Sequence, residues 1–244
     1  MSKTTMRLDR FLALTNAAKS RSDAKKVLKM QAVTVNGTIC RLAEQQVDPE
    51  SDTVMVNGVP LTYRKYRYFV LNKPAGVISA TKDRISETVL TLIPEADPKD
   101  YFPVGRLDKD TEGLLIITND GAFAHNLTSP AKKVPKTYFT KAEGQVSEEG
   151  IRMLTCGITF SDYTTKPAKY EFLSYEDGFT ECLLTITEGH FHQVKRMFHE
   201  VGNDVVFLKR IAIGGLRIPE GLMAGQYKEF SREELDEAIS QLYY

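Results

Sequence analysis

The chain has 244 residues, 42% hydrophobic and 26% charged, which is enough apolar material for a sizeable core in one or two domains and excludes disordered or collagen-like classes. Its 32 basic and 32 acidic side chains cancel, so net charge alone points to no polyanionic partner. No segment approaches the roughly 18 apolar residues of a membrane span and Met1 to Asp9 lacks a signal-peptide core, so a cytoplasmic protein that does not touch a membrane is expected.

The charge is nevertheless unevenly placed. From Met1 to Arg41 nine lysines and arginines face two aspartates, whereas from Glu220 to Tyr244 two bases face six acids. Within the basic part, Leu8, Phe11, Leu12 and Thr15 fall at helical spacing. Ser20 or Ser22 can cap a second helix with Ala24, Val27 and Leu28 as its apolar face. Val33-Thr34-Val35, the Asn36-Gly37 turn and Thr38-Ile39 then read as a hairpin. RLDRFLA, SRSDAKKVLKMQAVTVNG and the later DTVMVNG resemble the S4 RNA-binding module. The bases Arg7, Arg10, Arg21, Lys25, Lys26 and Lys29 are candidate phosphate contacts, because phosphate binding needs many bases on one side. Aromatic residues are scarce here, so recognition of backbone and shape is expected.

Asn57-Gly58 gives a second turn, and residues 62–67 read as a linker in which Tyr63 and Tyr66 alternate with bases, either to contact RNA or to pack a junction. Tyr68 to Leu71 is a strand, Asn72-Lys73-Pro74-Ala75-Gly76 turns out of it, and Ser86 to Ile93 is expected as a short helix ended by Pro94. Leu114 to Ile117 run without a polar break, a core strand extended by Thr118, followed by a helix over Gly121 to Leu127. A strand begins at Lys136 with Tyr138 on the same face or nearly so, and Ser147 caps a helix that Gly157 stops. Strands follow around Tyr170 to Leu173 and Thr180 to Ile186. Val194, Met197, Phe198 and Val201 mark the core face of a helix that leaves Lys195, Arg196 and His199 off the stripe. Val205 to Leu208 is a strand, and Ser231 with Glu234 forms a capping box for a last helix with Leu235, Ala238, Ile239 and Leu242 inward. Cys40, Cys156 and Cys182 are odd in number and far apart, against a disulfide framework or a zinc ribbon. His190, His192 and His199 read as a polar or RNA-facing edge, since no carboxylate or thiolate falls at a metal-ligand spacing.

The charged loop Gly105 to Gly113 feeds the buried strand and carries Asp108, Asp110 and Glu112. A phosphotransferase aspartate would follow its apolar strand in a D-x-D-x-T motif, whereas here the apolar run comes after D-x-D-T. A two-carboxylate glycosidase would want an aromatic sugar platform, and tryptophan is absent.

GRLDKDTEGLLIITNDG resembles the central motif of the ribosomal small subunit pseudouridine synthase A family. NKPAG, KTY and EGHFHQVKRMFHEVGNDVVFLKR with IGG after it repeat the family's order over nearly the whole chain. The resemblance implies an α+β protein: an S4-like domain over 1–61, two helices then a hairpin, a linker over 62–67, and a catalytic domain over 68–244 with a mixed, largely antiparallel sheet flanked by helices. It implies isomerisation of a uridine in 16S ribosomal RNA, within an assembling small subunit, by a monomer that flips the base out of the helix. A large-subunit uridine, or a non-catalytic assembly role, is the alternative. Asp108 matches the family's catalytic aspartate, as nucleophile or as a base at the sugar. Lys195 matches its basic partner, and Tyr138 the tyrosine that stacks on uracil. Arg106 would hold the flipped nucleotide's phosphate or fill its place, and Arg196 is a further RNA contact. Asp110 and Glu112 are left as loop-shaping or capping residues. The reaction is redox-neutral, so no metal or organic cofactor is implied.

Overall fold

A computed structural model describes residues 5–241, and their contacts fall into two units that divide between Lys65 and Tyr66. In the first unit a short strand, β1 (Met6–Arg7), runs into α1 (Leu8–Leu14), and α2 (Arg21–Lys29) follows. Ser20 caps α2 by accepting the Asp23 N–H at 3.1 Å, which satisfies an amide the helix itself cannot. Leu8, Phe11, Leu12, Ala24 and Leu28 close one core against Val33 and Val54. The Asn36-Gly37 turn joins β2 (Val33–Val35) to β3 (Thr38–Ile39). Its φ angles of 50° and 81° are the two positive values that a tight hairpin turn needs. β4 (Gln46–Val47) pairs with β1, and Asn57-Gly58 repeats the turn between β5 (Val54–Val56) and β6 (Val59–Pro60). Tyr63, within the expected linker, packs its ring 5.9 Å from that of Phe11.

In the second unit β7 (Tyr68–Lys73) is followed by β8 (Phe102–Pro103), β9 (Glu112–Thr118), α3 (Gly121–Thr128) and β10 (Lys136–Glu143). Then come α4 (Glu148–Cys156), β11 (Lys169–Glu176), β12 (Phe179–Ile186), α5 (Gln193–Glu200) and β13 (Val205–Ile213). The chain continues through β14 (Leu216–Arg217), β15 (Tyr227–Phe230) and α6 (Arg232–Ser240). The described residues form a nine-stranded sheet in the order β11-β12-β10-β13-β9-β7-β15, with β14 on β13 and β8 on β9. Its pairs are antiparallel except for β13 with β9.

The unbroken apolar run of β9 is explained by burial on both faces. Leu114 and Ile116 join a core with Phe123 and Leu127 of α3 and Leu235 of α6, whereas Leu115 and Ile117 join one with Leu154, Met197 and Phe198. Each such side chain taken out of water stabilises the fold by about 1.5–3 kcal/mol, so the strand is a rigid base for the loop before it.

The expected helix over 86–93 is not formed: only Val89–Leu92 makes a 3-10 turn. Asp83 accepts the N–H groups of Ile85 and Ser86, and Thr88 is drawn into a bridge with Ile78, so the chain approaches this turn extended. α5 begins at Gln193, because His192 has a left-handed φ of 51°. The capping box of α6 is present, with Leu235 buried and Ala238 and Ile239 packed beside it, and Leu242 lies outside the described residues. No helix among the described residues is long and apolar enough to cross a membrane.

Candidate active site

Asp108 sits in the loop between β8 and β9, and neighbouring elements fix that loop. Ser79 Oγ donates to the Leu107 carbonyl at 2.8 Å and accepts the Leu107 N–H at 3.0 Å. Lys73, at the end of β7, is fully buried. Its ammonium donates to the carbonyls of Thr111 at 2.8 Å, Pro74 at 2.9 Å and Lys109 at 3.3 Å. The Gly76 N–H reaches Lys109 O as well, at 2.7 Å. Burial pushes Lys73 down to about 8, against the opposing pull of Asp110, Asp108 and Glu112.

From α5, Lys195 reaches over this loop. Its Nζ lies 3.3 Å from Asp108 Oδ2 and 2.6 Å from Asp110 Oδ1. The shorter contact is therefore to Asp110, for which the sequence suggests only loop shaping. Asp110 is largely exposed, its side chain 73% accessible against 27% for Asp108. The hydrogen bond from Lys195 holds the Asp110 carboxyl below its usual range, with partial burial acting the other way. On the other side of Asp108, His192 Nε2 lies 3.4 Å from Oδ1. The left-handed backbone at His192 is uncommon for a non-glycine residue, and it ends a turn that buried Glu188 secures by accepting from Gln193 Nε2 and Lys166 N, each at 2.8 Å. Phe191 stacks on His192 with centroids 3.8 Å apart and is 74% exposed.

Asp108 and His192 border a cleft of about 610 Å³ whose lining also includes Arg106, Lys136, Tyr138 and Arg210. That volume suits a nucleotide-sized ligand. Asp108, Lys195 and His192 are thus in direct contact, and Asp108, Tyr138 and Arg106 share one cavity. Tyr138 is buried, and Arg106 is exposed at the cleft.

Residues 67–200 match the model of the family described as RNA pseudouridylate synthase, and residues 6–54 match that of the S4 domain. The chain belongs to the RNA pseudouridylate synthase family. It is 46% identical over 232 residues to a Bacillus subtilis protein named as an uncharacterized RNA pseudouridine synthase, covering 94% of this chain and 97% of the other. It is 38% identical over 235 residues to ribosomal small subunit pseudouridine synthase A of Escherichia coli K12, covering 96% and 100%. A crystal structure described as a pseudouridylate synthase aligns with a TM-score of 0.65 at 35% identity, over 96% of this chain and 99% of that one. The protein is an RNA pseudouridine synthase with an S4 module.

In this synthase several of the predicted RNA contacts are already engaged within the protein. Arg7 and Arg21 both bind the carboxylate of Asp9, at 3.1 Å, and Asp9 is buried. Burial alone would raise the Asp9 carboxyl, but the hydrogen bonds from the two arginines hold it below its usual value. Lys26 pairs with Asp23 at 2.8 Å. Arg196 forms a fork with Asp162 at 2.7 and 3.1 Å and lies over the rings of Phe160 and Tyr163, so it braces the protein. Arg10, Lys25 and Lys29 stand exposed. Sequence reasoning missed Lys73, His192 as a neighbour of Asp108, and Arg210. The signal for Lys73 was a lysine at the end of a strand that opens with four aromatic or aliphatic residues, and for Arg210 a base inside the strand Val205–Ile213.

Proposed function

We propose that this synthase converts a uridine of 16S ribosomal RNA to pseudouridine and that Asp108 is the carboxylate acting at the reacting sugar. The observation that carries the assignment is the Asp108 carboxylate held between Lys195 and His192 beside a cleft that Tyr138 also lines. The Lys195 ammonium, 3.3 Å from the carboxylate, sets a countercharge beside the reacting group. Tyr138 would offer a ring for uracil to stack on, and Arg106, which lines the same cleft, would meet the nucleotide's phosphate or fill its vacated place. The glycosidic bond is unreachable inside a stacked helix, so the uridine must be turned out of it first. The small-subunit target is supported by relatives of Escherichia coli and Vibrio cholerae that carry it in their names. The enzyme works as a monomer in the cytoplasm on RNA of an assembling small subunit.

The test is purified protein on 16S and 23S rRNA transcripts, with pseudouridine mapped by carbodiimide primer-extension stops. One strong stop in 16S rRNA is expected, lost with Asp108→Ala while RNA binding persists. Stops of equal intensity with Asp108→Ala would sink the catalytic assignment, and stops confined to 23S rRNA would sink the substrate.

A further inference from the structure

Two basic groups in the cleft lie apart from Asp108 and its partners. Lys136 opens β10, and Arg210 lies in the neighbouring strand β13, where it stands directly opposite Tyr138 in the register. Lys136, Tyr138 and Arg210 all line the cleft. Arg210 is 4% exposed. Its Nε donates to the Leu114 carbonyl at 2.8 Å, while its Nη2 is buried with no hydrogen-bond partner. A buried guanidinium nitrogen without an acceptor is costly, and native proteins keep few of them. Lys136 is half-buried, and the charges that bear on it are those of Arg210 and Lys166, both of the same sign.

The carboxylates around the cleft are engaged elsewhere. Glu188 accepts from Gln193 and Lys166 N and neighbours His190, and Asp108 and Asp110 face Lys195. Lys136 and Arg210 therefore form a desolvated positive site whose complement is an anion.

We infer that Lys136 and Arg210 bind a negatively charged oxygen of the target uridine. The inference rests on the cleft being the place where uridine is converted. Two oxygens have the required chemistry: one on the nucleotide's phosphate, charged throughout, and a carbonyl oxygen of the uracil, charged only in mid-reaction. The bond between C1′ and N1 breaks with its electron pair staying on the base, which spreads the charge over N1, O2 and O4. The charge vanishes when C5 bonds to C1′, C5 gives up its proton, and N1 takes one up. The depth of Arg210 beside Tyr138 favours the uracil oxygen, since the ribose-phosphate chain must stay continuous with RNA outside the cleft. Donors fixed in advance where charge develops act mainly on rate.

The experiment follows tritium released from C5-labelled uridine in a 16S rRNA transcript, under single turnover, together with the affinity for the same transcript. Lys136→Met is expected to slow release about a hundred-fold with affinity within about two-fold, and Lys136→Arg to recover most of the rate. If the phosphate oxygen is the partner, the loss falls on affinity instead and the salt dependence of binding drops by about one counterion. Arg210→Lys keeps the charge but not the planar fork, and it decides the matter by the same split should Lys136→Met fail to fold. Folded variants that keep both rate and affinity within about two-fold of wild type overturn the inference. Asp108→Asn is run alongside. If it releases tritium like wild type, the assignment of the reacting site has failed, whatever Lys136 does.

Discussion

Lys195 serves two carboxylates, and its shorter contact is with the more exposed one. Losing Asp110 frees the ammonium for Asp108, whereas losing Lys195 takes the ammonium from both acids. Asp110→Asn is therefore predicted to change kcat by less than about three-fold, since an exposed ion pair is worth little, and Lys195→Met to lower it by about a hundred-fold or more. Equal losses in the two variants would show that Asp110 takes part in the reaction. Lys73 acts one layer below. Its removal in Lys73→Met takes the donor from the Pro74 and Thr111 carbonyls and leaves Lys109 O with the Gly76 N–H, and is predicted to cost about 3 kcal/mol in urea unfolding. The pH dependence has a definite sign. Lys73 falls from 10.5 to about 8 on folding, so between those values the unfolded chain holds more protons and the contribution of Lys73 to stability rises with pH. The stability difference between wild type and Lys73→Met should grow in favour of wild type from about pH 8 to 10, and a flat difference would refute the lowering of Lys73 on folding.

At the scale of elements the decisive contact is the parallel pair of β9 and β13. Gly113 has a φ of 104°, and a Cβ placed there would lie 2.2 Å from the Arg210 carbonyl oxygen. Only glycine lets the charged loop enter the strand while β13 passes this close, and the same approach seats Arg210 at the cleft. Gly113→Ala is predicted to destabilise the protein by about 3 kcal/mol or more, read as a lowered denaturation midpoint. A midpoint unchanged from wild type would mean the two strands can part without loss. Much of this architecture was legible. The run Leu114 to Ile117, the two Asn-Gly turns, the Ser20 and Ser147 caps and the capping box of α6 each depend on neighbours in sequence. The helix expected over 86–93 failed because Ile78, distant in sequence, competes for the backbone of residues 87–89. The site divides the same way. Asp108 was visible in its motif, but the carbonyls around Lys73 and the reach of Lys195 to Asp110 come from segments that only folding brings together.

At the scale of the whole molecule, the basic excess of the first 41 residues is smaller in effect than its count. Arg7 and Arg21 neutralise the buried Asp9 and so hold the S4 unit together more than they offer charge to RNA, while Lys26 answers Asp23 in an exposed pair along α2. Arg10, Lys25 and Lys29 are exposed. Each phosphate neutralised adds roughly 0.7 to 0.9 to the slope of log affinity against log salt. Charge removal at Arg10, Lys25 and Lys29 together is then predicted to lower that slope by about 2 to 3 without altering thermal unfolding. Deleting residues 1–65 should do the same, and the remaining unit, which has its own cores, should stay folded. Arg7→Ala with Arg21→Ala should behave in the opposite way. A buried carboxylate stripped of both partners costs about 3–5 kcal/mol, so the S4 unit should unfold at a lower temperature. If the triple variant keeps the wild-type salt slope while the Arg7 and Arg21 pair lowers it without loss of stability, the division of labour between these bases is the reverse of the one drawn from the ion pairs.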